Sequence, residues 1–113
     1  MYACTYNPQE KTVSIRKLVY IGEAANVNER VSAHERWQDW ERELKRGEEL
    51  RFNAALISPD SDRQRAEAAM IHHHKPPCNV EYVDSFPHEQ TTISTSGKNA
   101  ELDGHFTVYT RAR

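Results

Sequence analysis

The segment Leu18-Val19-Tyr20-Ile21-Gly22 constrains the fold more than any other part of the chain. Its four apolar residues are continuous, which is typical of a central β-strand, and Gly22 ends the run. The chain around it is polar, with 28% charged residues and a mean hydropathy of -0.87. Because a single core takes about 100–200 residues, the 113 residues predict one small domain with one modest core.

Two segments near the N-terminus predict an antiparallel hairpin. Residues 2–6 alternate enough to form a half-buried strand, and residues 13–21 are rich in β-forming side chains. Between them, Asn7-Pro8-Gln9-Glu10-Lys11 is typical of a turn, because proline fixes φ and asparagine tolerates unusual backbone conformations. A hairpin needs no helical crossover, so it favours an α+β fold.

After Gly22 the apolar residues follow a helical period. Asn26 is a suitable N-cap, and the sequence predicts one helix, or two with a bend, that ends near Gly47. Trp37, Trp40 and Leu44 form an apolar stripe at helical spacing, which predicts that they belong to the core. A surface on which nucleic-acid bases stack is the alternative for this stripe.

The rest of the chain predicts one more strand, one more helix and a polar tail. Residues 50–57 predict the third strand, and Ser61 is expected to cap a helix over residues 62–74 that stops at Pro76-Pro77. The expected fold is a small mixed, largely antiparallel three-stranded sheet flanked by helices, in the order β-β-α(α)-β-α. Residues 1–80 would form this domain, and residues 81–113 a C-terminal extension packed on the core or at an interface.

Composition excludes several classes of protein. No run approaches the ~18–20 apolar residues of a membrane span, and the N-terminal residues do not have the pattern of a signal peptide. Cys4 and Cys78 do not make a disulfide scaffold, which indicates a cytoplasmic location. The net charge of -2 excludes a strongly basic nucleic-acid binder of the histone kind.

Several polar residues follow the Tyr20-Ile21-Gly22 motif at regular positions. Asn26, Arg30 and His34 lie six, ten and fourteen residues after Tyr20, Glu67 lies on the later helix, and Asn79 follows Pro76-Pro77-Cys78. In these segments the chain resembles the GIY-YIG nuclease family, over about residues 1–80. The resemblance implies the β-β-α(α)-β-α core of that family and a metal-dependent endonuclease that hydrolyses DNA phosphodiester bonds, as in repair, restriction or mobile elements.

The first motif of the family, Gly-Ile/Val-Tyr, is matched only in part. Met1-Tyr2-Ala3 is the fitting start, which assigns Tyr2 to the tyrosine position and leaves the glycine missing. Tyr6 is the alternative for that position, although it would lie at the turn beside Asn7-Pro8.

Phosphodiester hydrolysis needs an activated water and stabilisation of charge on the phosphoryl oxygens. The resemblance implies that Glu67 binds one Mg²⁺ or Mn²⁺ ion, for which a hard carboxylate is a suitable ligand. It also places Tyr2 and Tyr20 in the site, facing the water and the phosphate. The fork of Arg30 can hold phosphate oxygens, and His34 on the same helix face can relay a proton or contact phosphate.

Other residues would support the site. The resemblance implies that Asn79 ties the backbone of the site together, with Gly22 and Asn26 in structural roles. We also expect a cationic face that contacts DNA, formed by Arg30, Arg36, Lys45, Arg46 and Arg51. Target selection would come from an accessory domain or a partner protein. The competing hypothesis is a catalytically weak or inactive module that uses the same fold to bind nucleic acid or protein.

The run His72-His73-His74 with Cys78 raises the question of a zinc site. Consecutive helical residues point about 100° apart, so three of them cannot all bind one ion. The chain also lacks the second spaced Cys/His pair of a structural zinc site.

Overall fold

The computed structural model of the chain describes residues 1–26, 35–97 and 101–111. Within them, three strands form an antiparallel sheet: β1 (Tyr2–Asn7), β2 (Thr12–Leu18) and β3 (Glu49–Arg51), in the order β2-β1-β3. Two helices are described, α1 (Trp37–Glu41) and α2 (Asp60–His74). This mixture of helix and antiparallel sheet confirms the expected small α+β fold.

The predicted hairpin is present, and its turn has the expected chemistry. Tyr2 lies opposite Leu18 and Asn7 opposite Thr12. The Asn7 side chain accepts hydrogen bonds from the backbone amides of Gln9 and Glu10, at 3.0 and 3.2 Å. The asparagine therefore stabilises the turn through its own side chain, as the sequence predicts.

The apolar run does not lie in the central strand, because β1 is central and β2 is at the edge of the sheet. β2 ends at Leu18, and Val19 is fully buried beyond it. The Val19 amide donates to the Met1 carbonyl at 2.8 Å, and the Cys78 amide donates to the Val19 carbonyl at 3.1 Å. The chain that follows α2 therefore covers the open edge of this run, which explains its apolar character.

The helical region around the two tryptophans is shorter than predicted. Residues 27–34 lie outside the described residues, so only α1 and the turns after it bear on the predicted helix over 26–47. Trp40 is 1% exposed and packs in one core cluster with Ala3, Val19 and Cys78. Trp37 is 38% exposed, so its assignment to the core was wrong. Its ring packs edge-on against Trp40, with centroids 5.7 Å apart.

β3 is also shorter than predicted, covering Glu49–Arg51 and not residues 50–57. The cause is the length of its partner: Tyr2, the first residue of β1, already lies opposite Arg51. Residues beyond Arg51 therefore have no β1 residue opposite them. Phe52, Leu56 and Ile57 consequently remain exposed.

α2 begins at Asp60, and no side chain caps its N-terminus, so the predicted Ser61 cap is wrong. Asp60 and Asp62 in the first turn instead complement the helix dipole. The helix ends at His74, and Lys75 adopts a left-handed conformation with φ of 49°. The stop before Pro76-Pro77 is thus confirmed.

The C-terminal part of the chain packs on α2. β4 (Thr91–Ser94) and β5 (His105–Val108) form a second, two-stranded antiparallel sheet. Its buried side chains join those of α2 in a second core cluster, made of Ala68, Ala69, Phe86, Phe106 and Val108. The described part of the polar extension is therefore built into the core. None of the helices in the described ranges is long and apolar enough to cross a membrane.

Candidate functional site

A cleft of about 490 Å³ lies beside the end of the apolar run. It is bounded by the residues after β2, the residues just before α1, the middle of α2 and the segment that follows α2. Three of the predicted catalytic and supporting residues line it together: Tyr20, Glu67 and Asn79. The remaining lining residues are Glu35, Arg36, Ile71, Val80, Glu81, Tyr82, Asp84 and Ser85.

The Asn79 side chain hydrogen-bonds the backbone of Ile21, which lies between Tyr20 and Gly22. Its Oδ1 accepts a hydrogen bond from the Ile21 amide at 2.9 Å, and its Nδ2 donates to the Ile21 carbonyl at 2.8 Å. Only an amide side chain offers an acceptor and a donor side by side for this pair of bonds. Asn79 therefore fixes the position of the chain that carries Tyr20 in the cleft.

Gly22 is required by the ring of Tyr20. A Cβ atom at position 22 would lie 2.7 Å from Cε1 of that ring. The ring also packs against Trp40, with centroids 5.0 Å apart and an angle of 42° between the planes. The Tyr20 ring is thus held between the Gly22 backbone and the core.

The cleft is acidic among the described residues. Four carboxylate side chains line it, those of Glu35, Glu67, Glu81 and Asp84, against the single guanidinium of Arg36. Burial raises the pKa of Tyr82, and the nearby carboxylates of Glu81 and Glu67 raise it further. Such an excess of negative charge favours binding of a cation.

The Arg63 guanidinium, one helical turn before Glu67, is engaged elsewhere. Its Nε donates to Glu23 at 2.7 Å, and it also contacts Asp60 at 3.1 Å. These ion pairs tie the start of α2, the helix that carries Glu67, to the segment after β2.

The predicted cationic face is only partly assembled at the cleft. Arg36 lines it, and its guanidinium donates to Asp39 at 2.7 Å and to the Cys78 carbonyl at 2.8 Å. Arg51 lies on β3, where it pairs with Glu49 at 2.9 Å and stacks over Tyr6. Lys45 and Arg46 lie in the turns that precede β3, outside the residues that line the cleft.

Tyr2 does not line the cleft. Ala3 packs with Val19 and Trp40, and neighbours along a strand point to opposite faces, so Tyr2 faces the other side of the sheet. Burial raises the pKa of Tyr2, while Asn53 hydrogen-bonds its hydroxyl. Tyr6, the alternative, is 42% exposed and does not line the cleft either.

Three of the expected residues lie at or beyond the limit of the described chain. Arg30 and His34 fall in residues 27–34, outside the described residues. Asn26 is the last described residue before that range and is exposed. Their expected roles stay predictions.

Sequence reasoning missed several residues of the cleft, namely Glu35, Glu81, Tyr82, Asp84 and their neighbours. One local signal could have found three of them. The segment Glu81-Tyr82-Val83-Asp84 is short, polar and aromatic, and it begins two residues after Asn79, which already belonged to the predicted site.

Comparison of the chain with protein-family models, with curated proteins and with solved structures gave no match.

Proposed function

We propose that the chain is a metal-dependent endonuclease of the GIY-YIG type, which hydrolyses phosphodiester bonds of DNA. One observation carries the proposal: Tyr20, Glu67 and Asn79, which are widely separated in sequence, line the same cleft. The resemblance selected these three residues from the sequence alone, and their convergence is what a shared active site requires.

The donor set of the cleft fits a hard divalent cation. Mg²⁺ typically takes one or two protein carboxylates and completes its shell with water and phosphate oxygens. Glu67 supplies one carboxylate, and Glu35, Glu81 and Asp84 add negative charge around it. When bound, Mg²⁺ or Mn²⁺ would neutralise charge on the scissile phosphate and the leaving oxygen.

The other side chains have positioning roles in this proposal. The Tyr20 hydroxyl would orient the attacking water, because its ring is held between Gly22 and Trp40. Asn79 would keep Tyr20 in register through its two hydrogen bonds with Ile21. Arg36 would contact the DNA backbone at the rim of the cleft, and Arg30 and His34 would act on the phosphate as the resemblance implies.

The decisive experiment is a nicking assay on supercoiled plasmid with Mg²⁺ or Mn²⁺. We expect Glu67→Gln to lower the nicking rate at least 100-fold, because loss of the ligand removes the metal's share of charge stabilisation. Glu10→Gln, in the exposed hairpin turn, is the matched control and should nick like the wild type. Equal nicking by the wild type and Glu67→Gln would refute the assignment.

A second candidate is a module that binds nucleic acid or protein on the same fold without efficient cleavage. The observation in its favour is that neither Tyr2 nor Tyr6 lines the cleft. This hypothesis predicts a fluorescence-anisotropy change with labelled duplex DNA, or capture of a partner protein, and no metal-dependent nicking. An accessory domain or partner would then select the target, in a cytoplasmic setting that suits the free thiols of Cys4 and Cys78.

A further inference from the structure

Two histidines at the end of α2 and an aspartate just before β5 lie together. His73 Nε2 is 2.5 Å from Asp103 Oδ2, and the rings of His73 and His74 are perpendicular with centroids 4.8 Å apart. One potential ligand atom from each of the three residues lies within 4.8 Å of the others. Convergence is possible because only two of the three consecutive histidines take part: His72 turns away and its Nδ1 hydrogen-bonds the Tyr82 carbonyl.

The surrounding structure holds these side chains in place. The buried ring of Phe106 stacks on His73 at 3.9 Å and lies edge-on to His74 at 5.4 Å. The Asp103 carbonyl accepts a hydrogen bond from Thr95 Oγ1 at 3.0 Å, which fixes the backbone that carries the carboxylate. The positions of the three ligands are therefore set by packing and by backbone contacts.

His74 adds a second, independent observation. Its Nε2 is buried and has no hydrogen-bond partner within residues 1–26, 35–97 and 101–111. A buried polar atom without a partner is unusual in a folded chain, so this nitrogen is free to accept a further contact.

We propose that His73, His74 and Asp103 bind a divalent transition-metal ion, of which Zn²⁺ is the best fit. Two imidazole nitrogens and one carboxylate oxygen are suitable ligands for Zn²⁺, and water would occupy the fourth position. With bonds of ~2.0–2.1 Å, tetrahedral ligand atoms lie roughly 3.3 Å apart. The three potential ligand atoms lie within 4.8 Å of one another and His73 Nε2 is 2.5 Å from Asp103 Oδ2, so the separations in the structure bracket that value.

The ion would join α2 to the hairpin of β4 and β5. His73 and His74 end the helix, whereas Asp103 lies in the connection between the two strands. Binding only in the folded state stabilises that state, so the structural consequence is a higher melting temperature. The proposal concerns a surface other than the Glu67 cleft and stands independently of nuclease activity.

Isothermal titration of the metal-free full chain with ZnCl₂ tests the site. We expect one high-affinity Zn²⁺ ion in the wild type, and at least tenfold weaker binding of that ion in Asp103→Asn and His73→Asn, which alter exposed side chains. His105→Asn is the matched control, because His105 is an exposed histidine that hydrogen-bonds Ser94 and not the cluster. Glu67→Gln separates this site from the cleft, and both controls should bind Zn²⁺ like the wild type.

Two further measurements complete the test. The melting temperature should rise by about 10 °C at a free Zn²⁺ concentration of ~100 times Kd. In NMR spectra of the histidine ring nitrogens, Zn²⁺ should shift His73 and His74 and leave His88 and His105 unchanged. Absence of binding below ~100 μM, equal affinity in Asp103→Asn and the wild type, or loss of binding in Glu67→Gln would each overturn the proposal.

Discussion

The contact between Gly22 and the Tyr20 ring yields a quantitative prediction. An alanine Cβ at position 22 would lie 2.7 Å from Tyr20 Cε1, about 1 Å closer than the ~3.5–4.0 Å of an ordinary carbon contact. Overpacking of this kind costs ~1–3 kcal/mol. The glycine φ is not in the left-handed region, and the three heavy atoms nearest to that Cβ all belong to the Tyr20 side chain.

Removing the Tyr20 ring should therefore remove the destabilisation caused by Gly22→Ala. Gly22→Ala also lowers the entropy of the unfolded chain, which favours folding by ~0.4–1 kcal/mol. In the wild-type background we expect Gly22→Ala to lower the free energy of unfolding by ~1–2 kcal/mol in total. In a Tyr20→Ala background the same substitution should be neutral or stabilising by up to ~1 kcal/mol.

Urea unfolding followed by circular dichroism measures this double-mutant cycle, with the slope m as a check on two-state behaviour. Tyr20→Phe is the matched control, since it keeps Cε1 and should keep the cost of Gly22→Ala. Tyr20→Leu serves as a second ring-free background if Tyr20→Ala is too unstable to measure. An equal cost of Gly22→Ala with and without the ring would refute the steric reasoning.

Three further predictions concern stability. Asn79→Ala should lower the free energy of unfolding by ~2 kcal/mol, because two part-buried hydrogen bonds with Ile21 are lost. Asn7→Ala loses two exposed hydrogen bonds and should lower it by less than half as much in urea unfolding. Equal losses in the two variants would contradict this account. The hydrogen bonds from Arg16 and from the Lys45 amide hold the pKa of Glu48 at about 2 against an ordinary 4.5. This stabilisation is complete above pH ~4.5 and is lost as pH falls toward 2, so melting temperatures of Glu48→Gln should be lower than wild type at pH 7 and converge with it near pH 2. Phe86 lies in the cluster that joins the C-terminal extension to α2, and Phe86→Ala should lower the free energy of unfolding in urea by ~3–5 kcal/mol. A loss below ~1 kcal/mol would show that the extension is not part of the core.

Local chemistry made several elements predictable. The Asn7-Pro8 turn, the strand that starts at Tyr2 and the proline stop after α2 depend on residues within a few positions of one another. The convergence of Tyr20 and Asn79 was expected only through a family resemblance. No local rule brings together residues 59 positions apart, and here two side-chain hydrogen bonds with Ile21 do so.

The predictions for β3 and for the apolar run were wrong because both depend on tertiary contacts. β3 stops at Arg51 because its partner β1 begins at Tyr2, which the sequence of residues 52–57 cannot reveal. The apolar run was expected in a central strand, yet it follows the edge strand β2, and there Val19 is buried in a cluster with Ala3, Trp40 and Cys78. In both cases the missing information was the identity of the neighbour.

By itself, the sequence determined an α+β chain with a hairpin and a helix that ends before Pro76, and a family resemblance added a short set of candidate site residues. Only the tertiary structure decided which of them meet. It brought Tyr20, Glu67 and Asn79 to one cleft, left Tyr2 on the other face of the sheet, and set Asp103 beside two histidines. The physical reason is that side-chain chemistry and backbone preference act within a few residues, whereas a site is assembled by strand register and core packing across the whole chain.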